Sequence, residues 1–107
     1  MGRLNAMRGE IWLVDLGMTQ KMRPVLILSV AYKGEERALI SYVARTTSVR
    51  GTEYEVTHHA PKFLPGVFDA QSIGTVPDVQ LVRRLTVCDV PTLEKVEAAL
   101  KRWLGLL

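Results

Sequence analysis

The chain carries one cysteine, Cys88, and two histidines in 107 residues. A single cysteine excludes an intrachain disulfide and any zinc site built on cysteine pairs, and it fits a reducing, cytoplasmic setting. Long apolar runs are missing too. The longest, Pro24 to Leu28, is far too short to cross a bilayer, so no membrane association is expected. The opening MGRLNAMRGE has charge with no apolar stretch behind it, and no secretory signal is expected there. The sequence has no Walker-type phosphate loop, no GxGxxG, no GxSxG elbow and no HExxH. His58 and His59 are adjacent and point to opposite sides of an extended chain, so they cannot chelate together. They are expected as solvent-exposed loop residues, and neither a metal nor another cofactor is expected.

What is present is an ordinary globular composition, 48% apolar and 23% charged, for one domain over 1–107, with 1–7 expected as a flexible extension. The net charge of +3 is unevenly spread. Residues 1–50 hold eight basic and four acidic side chains, 51–80 hold one and four, and 81–107 hold five and three. The first half is therefore where a polyanion would bind.

The pattern is mainly β. Strands are expected at Arg8–Asp15, Arg23–Ser29, Ala38–Ala44, Glu53–Thr57, Val67–Val76 and Leu81–Val87, with Gly74 marking a bulge or bend. Pro24 cannot donate to a ladder and belongs at a strand start. Gly17–Met22 and His58–Gly66 read as loops, and Arg45–Gly51 as a strand end and loop. In the tail, Leu93, Val96, Leu100, Trp103, Leu104 and Leu107 fall on one helical stripe, with Pro91 suited to the first turn and Gly105 to the stop. Glu97 and Lys101 are spaced for an i,i+4 ion pair. Six or seven short strands and one helix favour a small barrel, because closure removes exposed strand edges.

Two places could carry chemistry. Arg23 precedes Pro24, which restricts its backbone and fixes where the guanidinium is presented. A guanidinium can grip a phosphate through two parallel hydrogen bonds; an edge arginine pairing with a carboxylate such as Asp15 fits the sequence equally well. The segment RTTSVR, 45–50, gathers two arginines and three hydroxyls that can donate to phosphate oxygens, although hydroxyls capping backbone groups are the simpler reading. Cys88 reads as a buried packing residue, and Trp12 and Trp103 as core.

Taken in order, RGEIWLVDLG (8–17), RPVLILS (23–29), RTTS (45–48), AQSIGTV (70–76) and VEAALKRWLGL (96–106) resemble the MazF/PemK family of toxin endoribonucleases. The resemblance implies an SH3-like β-barrel with a C-terminal helix, usually a homodimer. It implies cleavage of single-stranded RNA at short sequences without a metal, leaving 2′,3′-cyclic phosphate and 5′-hydroxyl ends, and inhibition by a cognate antitoxin. The family's catalytic arginine falls on Arg23 and its catalytic threonine on Thr47, with Thr46 the alternative if the register is off by one. Lys21, Arg45, Ser48, Arg50 and Gln71 are then the expected RNA contacts. Two departures stand out: Arg45 sits where the family often has proline, and Gly74 replaces an arginine, leaving Gln71 to take over part of its polar role. A related class of toxin on the same barrel poisons gyrase by protein contact, and in that case Arg23 and Thr47 are structural.

Overall fold

The structure is a computed structural model that describes residues 5–17 and 21–107. Six antiparallel strands form one sheet, ordered β4-β5-β3-β2-β1-β6. They are β1 (Glu10–Asp15), β2 (Met22–Ile27), β3 (Leu39–Thr46), β4 (Glu55–His58), β5 (Gly66–Pro77) and β6 (Leu81–Val87). A short 3-10 turn, Asp78–Gln80, links the last two, and the helix α1 spans Val90–Leu104. The expected mainly-β fold with a C-terminal helix is observed. The hydrogen-bonded ladder, however, remains open between β4 and β6, so edge strands persist where closure was expected.

The sheet is buried on both faces, which explains the unbroken apolar run of β2. Alternation sends Leu26 to one core with Ile11, Val43, Phe68, Val96 and Ala99, where α1 packs against β4 and β5. Val25 and Ile27 go to a second core with Trp12, Val14, Ile40, Tyr42 and Leu81. Ala6 is 4% exposed and belongs to this second core, so the expected flexible extension is anchored by residue 6. The extension's first four residues lie outside the described part.

Helix α1 begins one residue after Asp89, whose carboxylate accepts a hydrogen bond from the Thr92 backbone N–H at 3.0 Å. This satisfies one of the orphan donors of the first turn, and Pro91 has no N–H to satisfy. At the other end Gly105 adopts φ 70, and Leu106 donates back to the Lys101 carbonyl at 2.8 Å. Two expectations change here. Glu97 pairs with Arg8 across the fold rather than with Lys101. Trp103 is 42% exposed, its ring edge-on to Tyr54 at 5.3 Å, whereas Trp12 is buried as expected.

Candidate functional site

The register of β2 against β3 sets the geometry. Val25 pairs with Ala44 and Ile27 with Tyr42. Continuing by two residues puts Arg23 opposite Thr46 on one face, with Pro24 and Arg45 on the other. On the first face lies a cleft of about 520 Å³ lined by Arg23, Tyr42, Ala44, Thr46, Ser48, Arg50, Glu55, Asp69 and Ser72 among others. On the second lies a hollow of about 690 Å³ lined by Arg45, Thr47, Lys62, Phe63, Leu64 and Arg83 among others. At the rim between them, Lys21, Met22, Arg23, Pro24, Arg45, Thr46 and Thr47 surround a third hollow of about 320 Å³. Arg23 and Thr47 therefore line one concavity.

Arg23 is half-buried, and among the described residues its guanidinium has no carboxylate or carbonyl partner. Asp15, the carboxylate whose spacing suited it to pair with Arg23, accepts instead from the Gly17 backbone N–H at 2.9 Å. Thr46 Oγ1 accepts from the Ser48 N–H at 3.0 Å, closing a small turn at the strand end, while Thr47 is exposed. Lys21 sits at φ 53 beside the rim, its backbone bonded to Gly17 and Leu16. The remainder of the expected loop, Met18, Thr19 and Gln20, lies outside the described residues.

Two of the expected RNA contacts are placed otherwise. Arg45 is only 5% exposed because β3 runs through Thr46 rather than stopping at Ala44, and strand alternation turns its side chain inward. Its donors go to His58 Nδ1 at 2.8 Å, the His58 carbonyl at 3.0 Å and the Leu64 carbonyl at 2.7 Å. It is an internal tie, not a free phosphate ligand. Gln71 is exposed but lies outside the cleft lining. It sits on a bulge: β3 pairs Val43 with Ile73 and Ala44 with Asp69, so Ala70, Gln71 and Ser72 have no partner on β3. Asp69 braces this bulge, accepting from the Gln71 N–H at 3.0 Å and from Ser72 Oγ at 3.2 Å. The bulge thus lies at Ala70–Ser72, whereas a bulge or bend was expected at Gly74. Gly74 instead faces Tyr42, whose ring covers the place a side chain would occupy: a Cβ there would come within 2.5 Å of the Tyr42 hydroxyl. Tyr42, Glu55, Asp69 and Ser72 are cleft residues that the sequence did not single out; a bulge leaves no periodicity signal that would have exposed the last two.

His58 is also corrected. It ends β4, is 2% exposed and packs against Phe63 and Phe68, whereas an exposed loop residue was expected. Burial, then the Arg45 charge, lowers its pKa below the usual 6.5, with Asp89 opposing. Cys88 is buried as expected, and burial pushes its thiol up to about 11, which keeps it protonated and unreactive at neutral pH.

The cleft's wall is held by Glu55. Its carboxylate accepts from the backbone N–H groups of Arg50, Gly51 and Thr52 at 2.6 to 3.3 Å, which lowers its pKa, the Arg50 bond most. Asp89 is lowered chiefly by the Thr92 hydroxyl. For Glu10 burial alone would raise the pKa, but Trp12, the Met7 N–H and Arg84 outweigh it and the net shift is downward. Depressed folded-state values mean that these carboxylates stabilise the fold above their unfolded pKa and that this stability is lost as pH falls through the folded values. The urea unfolding midpoint should therefore drop steadily once the pH is taken below the usual Glu value of 4.5. Glu55→Gln should flatten part of that drop, and an acid slope unchanged by Glu55→Gln would show that Glu55 contributes nothing to it.

Known proteins resemble the whole assembly. The family model of the PemK-like, MazF-like toxin of type II toxin-antitoxin system matches residues 7–104. No curated protein sequence gives a significant match. Among solved structures, an endoribonuclease in complex with its cognate antitoxin from Mycobacterial species superimposes with a TM-score of 0.82 at 28% identity, over 95% of this chain and 97% of that one. An endoribonuclease from Mycobacterial species gives 0.80 at 26% identity, over 99% and 97%. The Mycobacterium tuberculosis toxin MazF-mt6 gives 0.76 at 26% identity, over 92% and 98%.

Proposed function

Because the chain belongs to the PemK-like, MazF-like toxin family of type II toxin–antitoxin systems, we propose that it is a cytoplasmic, sequence-specific endoribonuclease that cuts single-stranded RNA without a metal and is restrained by a cognate antitoxin. The observation that carries the reading is Arg23: a half-buried guanidinium that no described residue neutralises, at the junction of the cleft and a rim hollow shared with Thr47. A cation held in that way favours an anionic ligand, and the phosphodiester is the anion that RNA supplies.

RNA carries its own nucleophile, the 2′-hydroxyl. Attack on the adjacent phosphorus forms the 2′-O–P bond and breaks the bond to the leaving 5′-oxygen, giving a 2′,3′-cyclic phosphate and a 5′-hydroxyl. The 2′-hydroxyl proton is lost and the leaving oxygen gains one. The protein's task is to hold these atoms in line and to stabilise charge on the non-bridging oxygens. Arg23 supplies that charge. A guanidinium is a fixed cation, suited to electrostatic stabilisation rather than proton donation. Thr47 hydrogen-bonds the scissile phosphate or the 2′-hydroxyl, with Thr46 the neighbouring hydroxyl in the same hollow.

Ser48 and Arg50 extend the binding surface along the cleft, and Lys21 extends it at the rim. Arg45 is left out by its burial, and Gln71, exposed on the bulge beside Ser72, is a contact beyond the cleft lining. The homodimer is part of the same reading: Trp103, Leu104 and Leu106 leave apolar surface exposed at the helix end.

The deciding experiment is incubation of the purified protein with a long single-stranded RNA in EDTA. Discrete fragments ending in cyclic phosphate are the expected result; intact RNA would turn the assignment to a protein-binding toxin. Neutralising Arg50 or Lys21 should weaken binding and reduce the slope of log K against log salt by about 0.7 for each phosphate that the variant leaves without a cation. A slope unchanged in the Lys21→Gln and Arg50→Gln variants would show that neither side chain neutralises a phosphate.

A further inference from the structure

Behind the rim hollow lies a buried cation for which RNA binding gives no use. The Arg45 guanidinium crosses from β3 over Gly66 of β5 to reach His58 at the end of β4 and the Leu64 carbonyl in the loop beyond. It lies over the Phe63 ring, 4.9 Å from its centroid. No carboxylate among the described residues pairs with it. Space for it exists because residue 66 is glycine: a Cβ there would lie 2.7 Å from Arg45 Nη1. A buried, unpaired arginine is expensive, and its hydrogen-bond partners must be fully in place to keep it.

Arg45 is also continuous with the proposed chemistry. It lines both hollows that Thr47 lines, and its own backbone leads directly into Thr46 and Thr47. Whatever fixes the guanidinium fixes the end of β3. We propose that Arg45 and His58 form a positioning pair that holds the Thr46–Ser48 strand end in its cleavage-competent place, and that the pair works only while His58 is neutral. This rests on the ribonuclease reading above and adds residues to it that never touch RNA.

The chemistry behind the condition is direct. Arg45 Nε–H donates to His58 Nδ1, so Nδ1 must carry a lone pair, which places the imidazole proton on Nε2. Protonating His58 destroys the acceptor and sets two cations 2.8 Å apart in a buried site. The groups facing His58 are Arg45 from β3, Asp89 at the start of α1 and its own chain neighbour His59, with Phe63 and Phe68 packed against the ring. Asp89 alone favours the protonated ring; burial and the two basic neighbours oppose it.

The test compares initial cleavage rates of a long single-stranded RNA at saturating concentration from neutral pH downward, for wild type and for His58→Asn. Asparagine places an oxygen close to the Nδ1 position and does not titrate. Wild type should lose activity in kcat by about tenfold per pH unit below the His58 midpoint, with KM little changed. His58→Asn should keep neutral activity within a few-fold and lack that acid limb, whereas Arg45→Met should lose kcat at every pH. A His58→Asn profile with the wild-type acid limb overturns the proposal. A second measurement needs neither a variant nor RNA. Nitrogen-15 NMR of the wild-type imidazole should show unprotonated Nδ1 at neutral pH, and the Thr46, Thr47 and Ser48 amide signals should shift with the His58 midpoint. Amide signals that stay put while His58 titrates also overturn it. If wild type leaves RNA intact, the ribonuclease reading fails by itself, and the NMR result still decides whether His58 governs the strand end.

Discussion

Arg23→Ala should cut RNA at least a hundredfold more slowly than wild type while melting at nearly the same temperature. The two halves of that expectation have separate physical grounds. Loss of one preorganised donor to a developing oxyanion typically costs ~3–4 kcal/mol of transition-state stabilisation, which sets the scale of the rate loss. The fold should not notice, because the side chain is only half-buried and no described residue bonds to it, so its removal orphans no internal donor or acceptor. RNA binding measured at the same salt should weaken far less than the rate falls, since Lys21, Ser48 and Arg50 remain. Wild-type cleavage by the purified variant would remove Arg23 from the chemistry. Thr47→Val and Thr46→Val, each close to isosteric, then separate the two hydroxyls. Thr46 already accepts from the Ser48 N–H, so its loss should cost both activity and some stability at the strand end, whereas Thr47→Val should cost activity alone.

Much of this site was legible in the sequence because it rests on short-range constraints. Pro24 cannot sit inside a ladder as a donor, so Arg23 had to stand near a strand start, and β2 begins at Met22. The helix was legible from its stripe and its two ends, since an amphipathic period of 3.6 and a left-handed glycine leave strong local signals. Arg45 was not. A charged residue after Ala44 looks like the end of a strand, and reading it as solvated loop is the normal inference for an arginine. Only the three acceptors brought up from His58 and Leu64, distant in sequence, make its burial tolerable, and no local pattern announces them. His58 was missed for the same reason in reverse, its partner being Arg45. The bulge at Ala70–Ser72 depends on how β5 registers against β3, which is a property of the pair and not of either strand.

Gly66→Ala should be the most destabilising single-methyl change in this region. A Cβ at that position would sit 2.6 Å from the Thr46 carbonyl oxygen and 2.7 Å from Arg45 Nη1. The carbonyl belongs to the strand pair itself, where Thr46 is registered against Val67, and cannot move without opening the β3–β5 ladder. Overpacking of this kind costs about 1–3 kcal/mol, which for a chain of about this length lowers the melting temperature by roughly 4–8 °C per kcal/mol. Gly74→Ala makes the instructive contrast. Its Cβ would approach the Tyr42 hydroxyl to 2.5 Å and the ring to 2.7 Å, but these atoms belong to a side chain whose end reaches the cleft, and a side chain can shift by a few tenths of an ångström where the β3 backbone cannot. Calorimetry should therefore rank Gly66→Ala well below Gly74→Ala in stability. Removing the guanidinium as well, in Gly66→Ala with Arg45→Ala, should not restore the melting temperature, because the clash with the Thr46 carbonyl remains and a cavity is added. A Gly66→Ala variant that melts with wild type would show that β3 and β5 can separate at this point at no cost. It would also mean that the strand end carrying Thr46 and Thr47 is not held there by backbone contact.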